Sequence, residues 1–179
     1  PVLRYPAATG TVVAFPTNVT LTPFTDPYFR GFDNSLPDYY RYAEWEREFD
    51  AMAPRRGRQA SAASKSDGKQ AEARQADGQP FHAQLPALSL VRFMHDHTGN
   101  WTFPGPPIDG VDTPETMVAD NDYAVGLLIE KISKSEYAKN TLIFVIEDDA
   151  QDGGDHVDSH RSTAFVAGAY VKQGALIST

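Results

Sequence analysis

Cysteine is absent from this chain of 179 residues, so it has neither a disulfide framework nor a thiolate metal site. Any zinc it holds must therefore be bound by His and carboxylate side chains. Long apolar runs are absent as well: nothing approaches the roughly 20 residues that span a bilayer, and no signal-peptide pattern opens the chain. Positive charge is scarce, with 16 Lys and Arg against 24 Asp and Glu and a net charge of -8. Nucleic acid and anionic membranes reward basic surfaces, so neither is expected as the main partner. Small phosphate-bearing substrates stay open, because a bound metal inverts the local charge. What is present, 41% hydrophobic and 11% aromatic residues, suits one globular domain with a real core. The start at Pro1 and the end YVKQGALIST, which trails off after a strand with no closing helix, read as the limits of a fragment of a larger protein.

The densest chemistry lies between Glu147 and His160, where EDDAQDGGDHVDSH packs six carboxylates and two imidazoles directly after the apolar run TLIFVI, Thr141 to Ile146. Carboxylates crowded at the mouth of a strand need full solvation or a positive charge to offset their repulsion, and interleaved His adds nitrogen ligands suited to transition metals. A solvated acidic loop is the alternative. The place after a buried-looking strand favours a cation, because ligands in α/β proteins collect at the carboxyl ends of strands.

The rest of the chain gives that loop a setting. Residues 1–30 lack helical period, with TVVAF (Thr11 to Phe15) a candidate short strand. After NSLP the spacing predicts a helix, with Ser35 as N-cap, Pro37 near the first turn, and Tyr42, Trp45, Phe49 and Met52 as a core-facing stripe. Residues 54–79 carry no large apolar side chain and read as a solvated, flexible insertion. Their Arg and Lys lack the interleaved aromatics of a nucleic-acid tail. PALSLVRFM, Pro86 to Met94, reads as a buried strand followed by His95, Asp96 and His97. In DTPE, Asp112 or Thr113 caps a second helix, with Pro114 in its first turn and Glu115 placed to close a capping box. Met117, Ala124, Leu128 and Ile132 give this helix a buried side, and it ends near Lys134. Strands at TLIFVI and TAFVAGAY (Thr163 to Tyr170) complete the pattern of an α/β protein, a mostly parallel sheet with helices packed on it.

Two histidine clusters follow two of these strands: His95 with His97, and His156 with His160. If the strands are parallel neighbours, both clusters leave the sheet at one edge and converge on a metal. A calcium loop of EF-hand type fails from Asp148, because its third position is Ala150 and its twelfth is Ser159. A Ser-His-Asp hydrolase built from Ser159, His160 and Asp158 is disfavoured, since adjacent residues rarely aim at one another and no GxSxG elbow occurs.

LPALSLVRFMHDHTGNW, together with the long stretch from DTPETMVADNDYAV to EDDAQDGGDHVDSHRSTAFVAGAYVK, resembles the C-terminal half of the phosphoesterase domain of the alkaline phosphatase superfamily. Bacterial members in which that domain follows a β-propeller are the nearest in pattern. VIEDDAQDGGDHV is more distantly similar to a motif of phospholipase C and acid phosphatase members. The resemblance is best over 85–172 and weaker over 25–52. It implies a three-layer α/β/α sandwich, present here as a partial domain over 1–179, with zinc, or else calcium or manganese, at the site. It implies hydrolysis of a phosphate monoester or diester, the substrate being a small phosphate ester or a phospholipid headgroup, in the periplasm or outside the cell. A Ser or Thr nucleophile attacks phosphorus in such enzymes, and that residue belongs to the N-terminal remainder of the domain, so this chain alone is expected to be inactive. Carried over by position, Asp96, His97, Asp148, Asp149 and His160 are the implied metal ligands, while His97 and His156 are the implied catalytic histidines, His156 as a phosphate contact or as a support behind a ligand. Many members read Asp-x-x-Gly-His at the earlier cluster, where this chain has Asn100 in place of the His. Asp120 and Asn121, on the inner side of their helix, read as polar supports for the site, with helix packing explaining them equally well. The alternatives are a non-catalytic calcium- or zinc-binding module and a degenerate relative that serves as an interaction domain.

Overall fold

Proline at position 37 disfavours helix in the residue before it and fits the start of one, and α1 (Asp38–Met52) begins directly after it. The structure, a computed structural model, describes residues 14–52, 85–95, 97, 109–147 and 163–177. Its chain divides into two compact units, Pro1–Asp33 with Ala43–Arg92 and Asn34–Tyr42 with Phe93–Thr179. Helix α1 supplies its first residues to the second unit and the remainder to the first.

In the first unit the polar side chains of the lead-in fold it locally. Asn18 accepts from the Thr20 amide at 3.0 Å and caps the short 3-10 helix Val19–Phe24, and Asp26 accepts from the Tyr28 amide at 2.9 Å. The i, i+4 spacing on α1 stacks Trp45 on Phe49 with ring centroids 4.9 Å apart, and Phe49 is buried as its place in the apolar stripe predicts. Ala14 and Phe15, the described part of TVVAF, are not in a strand, and Phe15 is exposed. The expected insertion at 54–79 lies outside the described residues.

The second unit is built around α2 (Pro114–Ser133). Thr113 caps it, accepting from the Thr116 amide at 3.2 Å while Thr116 Oγ1 accepts from the Thr113 amide at 2.9 Å. The box therefore closes with Thr116 and not with Glu115, because the closing residue must stand three places after the cap. Met117, Ala124 and Leu128 are buried on one side of the helix, and the buried residues of this unit also include Leu36, Tyr40, Tyr42 and Met94. After the cap at Lys134, a single 3-10 turn (Glu136–Lys139) leads into β1 (Leu142–Ile146). Ile129, Ile132, Ala138, Ile143 and Ala167 line an apolar hollow between this helix, turn and sheet, with no titratable group on its wall.

β1 pairs antiparallel with β2 (Ala164–Gly168), from Leu142 opposite Gly168 to Ile146 opposite Ala164, and these two strands are the whole sheet among the described residues. This corrects the expectation of a three-layer sandwich on a mostly parallel sheet. Parallel neighbours need a crossover of a dozen or more residues, usually a helix. The sequence between β1 and β2 carries Gly153, Gly154 and a run of acids with no helical apolar period, so it lacks the pattern of such a crossover helix. Residues 86–94 are not a strand, and Leu88 and Leu90 are 75% and 90% exposed, so apolar composition alone misleads there. β1 is not a buried strand either: Leu142, Phe144 and Ile146 on one face are 50%, 64% and 70% exposed. Without parallel strands, the convergence of the two histidine clusters at one sheet edge loses its basis.

Candidate functional site

Asp120 sits on α2 where its carboxylate meets the start of α1. Its Oδ2 accepts from the Asp38 amide at 2.5 Å and its Oδ1 from the Tyr39 amide at 3.2 Å, satisfying two of the amide donors that a helix leaves open at its N-terminus. A carboxylate also complements the positive end of the helix dipole there. The same Oδ2 lies 2.7 Å from Nδ1 of His95, whose other ring nitrogen, Nε2, faces the Asn34 carbonyl oxygen at 3.1 Å.

Asp38 completes the arrangement from the first residue of α1. Its Oδ2 accepts from the His95 amide at 2.8 Å and from Asn121 Nδ2 at 3.0 Å, both oxygens receive the Met94 amide, and Oδ1 pairs with Arg41 Nη1 at 2.9 Å. Arg41 Nη1 also donates to the Leu36 carbonyl at 2.7 Å. Asp38, Arg41 and His95 are all fully buried, and Asn34 nearly so. Two carboxylates thus face one guanidinium and one imidazole. Burial pulls the His95 imidazole towards neutrality, but the Asp120 bond, the charge of Asp38 and the Asn34 carbonyl outweigh it, and its pKa ends above the ordinary histidine value.

Nearby groups hold the flanks of this network. Tyr40 donates its hydroxyl to Asp109, and burial, helped by that carboxylate, pushes the phenol up to about 12. Asp109 and Gly110 both have positive φ, 56° and 76°, which makes the tight turn ahead of α2 one that Asp tolerates and Gly favours. Tyr39 stacks on Tyr123 of α2 at 6.1 Å.

Asp38, His95 and Asp120 are the one group of described His and carboxylate residues close enough together to share a cation, with ligand atoms within 4.8 Å of one another. Their chemistry does not fit a metal as they stand. His95 has an oxygen within hydrogen-bond distance of each ring nitrogen, so both nitrogens are already engaged within the network. The oxygens of Asp38 and Asp120 are already taken by backbone and side-chain donors. The group is a closed hydrogen-bonded ion network.

Of the expected ligands, His97 alone is described. It is half-buried in a turn: its amide donates to the Met94 carbonyl at 3.0 Å, and its own carbonyl accepts from Asn34 Nδ2 at 3.0 Å. Asp96, Asp148, Asp149, His156 and His160 lie outside the described residues. The base of their acidic segment is described. Beyond the last β1–β2 pair, the Glu147 amide donates to the Thr163 carbonyl at 3.3 Å and the Thr163 amide donates to Glu147 Oε2 at 3.3 Å. The ends of the segment 148–162 are therefore held together. The expected donor set, imidazole nitrogen and carboxylate oxygen, is of the kind zinc or manganese accepts.

Asp120 and Asn121, expected as polar supports or as packing residues of their helix, bond to His95 and to Asp38 respectively, inside the buried network. Asp38, Arg41 and Asn34 went unread. The signal for Asp38 was its place after Pro37 at a helix start, where an acid is favoured by the dipole, but nothing local ties it to residues more than 50 positions away. Comparison with protein-family models, curated proteins and solved structures finds no match in any of the three.

Proposed function

We propose that this chain carries the acidic half of a divalent-metal site in a phosphoesterase, cleaving a phosphate mono- or diester. The observation that carries this reading is the concentration of carboxylates and imidazoles in a segment whose two ends are pinned by the β1–β2 ladder and the Glu147–Thr163 bonds. Pinning shortens the reach of every side chain between those ends and lowers the entropy lost when they gather on one ion. The sequence resemblance supplies the reaction class and the ligand set: Asp148, Asp149 and His160 from this segment, with Asp96 and His97 from the earlier turn. A metal bound there would screen phosphate charge and stabilise the oxygens of the displacement, and His156 would stand as a phosphate contact.

Zinc is the preferred ion, since imidazole ligands favour it over calcium, with manganese and calcium as alternatives. The nucleophile is assigned to the N-terminal remainder of the domain. Catalysis is therefore tested on a protein that includes that remainder, by hydrolysis of an aryl phosphate ester with and without chelator. Hydrolysis that chelator abolishes and zinc restores is the expected result; hydrolysis indifferent to chelator, or none at all, overturns the reading.

One observation favours a different class. Leu142, Phe144 and Ile146 form an exposed apolar row with Val166 beside Phe144 in the ladder, and such a row suits a protein contact surface. On that reading the chain is an interaction domain. Metal binding would then be absent.

A further inference from the structure

Within residues 14–28 of the first unit, Asp26 is the one carboxylate. The segment closes on itself, the Ala14 amide donating to the Pro27 carbonyl at 3.0 Å, and the 3-10 helix Val19–Phe24 inside it buries no residue. Phe15, Val19, Leu21 and Phe24 are exposed, whereas residues 25–29 form a half-buried foot. In that foot the Asp26 side chain is only 9% exposed. Its Oδ1 accepts from the Tyr28 amide at 2.9 Å, but Oδ2, out of reach of solvent, has no hydrogen-bond donor.

Arg47 of α1 stands 3.9 Å from that oxygen, too far for a hydrogen bond. Its guanidinium is engaged elsewhere, with Nε at 2.8 Å and Nη2 at 2.5 Å from Glu44 Oε1, and it lies 5.7 Å from the centre of the Tyr28 ring. Among the described residues, the charged groups acting on Asp26 are Glu44, Glu48 and Arg47, all on α1, two like charges against one opposite. A buried carboxyl oxygen without a donor is costly as an anion and tolerable as part of a neutral acid. Burial lifts the Asp26 carboxyl to about 7, which brings its change of charge to near neutral pH.

We propose that residues 14–28 are a pH-sensitive strap: protonated Asp26 keeps the foot seated on α1, and ionised Asp26 lifts it. Ionisation leaves an anion that lacks a donor on one side, and water satisfies it once the foot rises. Seating is strongest while Asp26 is protonated, weakens as pH climbs from the ordinary carboxylate range, and levels off above about 7. The device uses no residue of the proposed metal site and holds whether or not the chain binds a metal.

The test is amide hydrogen exchange of the full chain at pH 5 and pH 8, each rate divided by the intrinsic rate at that pH. The Tyr28 amide, bonded to Asp26, reports the foot, and the Phe49 amide, inside α1, reports the rest of the unit. Protection at Tyr28 should fall at least about tenfold between pH 5 and pH 8, the effect of one pKa unit, while protection at Phe49 holds. In Asp26→Asn, whose amide oxygen still accepts from Tyr28 and does not ionise, Tyr28 should keep the same protection at both pH values. Equal protection at Tyr28 in the parent at pH 5 and pH 8 would overturn the proposal. So would a fall that persists in Asp26→Asn, which would assign the effect to another group, or an equal fall at Phe49, which would mean that the whole unit opens.

Discussion

Asp38 is the residue on which most of the buried polar order depends, as it is shared by Arg41, Asn121 and the amides of Met94 and His95. Asp38→Asn removes its charge while leaving Arg41 fully buried, and an uncompensated buried charge typically costs about 3–5 kcal/mol. Urea unfolding followed by circular dichroism should show a loss of that size; a loss below about 1 kcal/mol would mean that Arg41 is satisfied without Asp38. Asp26 in the first unit behaves oppositely. Burial drives its carboxyl up to about 7, with Glu44 and Glu48 adding to the rise and the Tyr28 amide and Arg47 opposing it. An acid whose pKa is raised on folding favours the folded state while protonated. That advantage is lost as pH climbs from the ordinary carboxylate range through about 7. Asp26→Asn should therefore match the parent near pH 3, below the ordinary carboxylate range, and be the more stable protein at pH 8, by at least about 1.4 kcal/mol, the worth of one pKa unit. Thermal melts at the two pH values decide it, and a variant less stable than the parent at pH 8 would contradict the assigned ionisation.

Helices were legible where local chemistry decides them. The cap at Thr113, Pro114 after it and the buried side of Met117, Ala124 and Leu128 all follow from spacing and side-chain type. Thr113→Ala should cost about 1 kcal/mol in chemical denaturation, and Ser at the same position should restore most of it. Strands were legible only as apolar runs. What an apolar run pairs with, and in which direction, depends on partners far away in sequence, so the apolar pattern points to a strand at 86–94 and to a buried β1, and neither holds. The direction of the β1–β2 pair could have been foreseen, since no helix-forming connection lies between them. At the end of that ladder Gly168 faces Leu142, and a Cβ there would meet the Thr141 carbonyl oxygen at 2.9 Å. Gly168→Ala should destabilise the second unit by about 1–3 kcal/mol, visible as a lower melting temperature; an unchanged melt would show that the strands can part without cost. The candidate site was half legible for the same reason: Asp120 and Asn121 show on a helical wheel, whereas Asn34 and Asp38 reach His95 and Asn121 only through the fold.

For the molecule as a whole, the absences noted at the start still limit what it can do. With no cysteine, metal chemistry rests on His and carboxylates, and among the described residues no helix is long and apolar enough to cross a membrane. The ligand-type residues fall into two sets, to which the proposal gives different roles. Asp38, His95 and Asp120 are locked into a hydrogen-bonded network, and the proposed function puts the cation on the acidic segment beyond Glu147. Elemental analysis separates these roles directly. The full chain is loaded with zinc, dialysed, and compared with the Asp148→Ala/Asp149→Ala double variant. Stoichiometric zinc in the parent and little or none in the double variant is the predicted result; equal zinc in the two, or none in the parent, would contradict the proposed site.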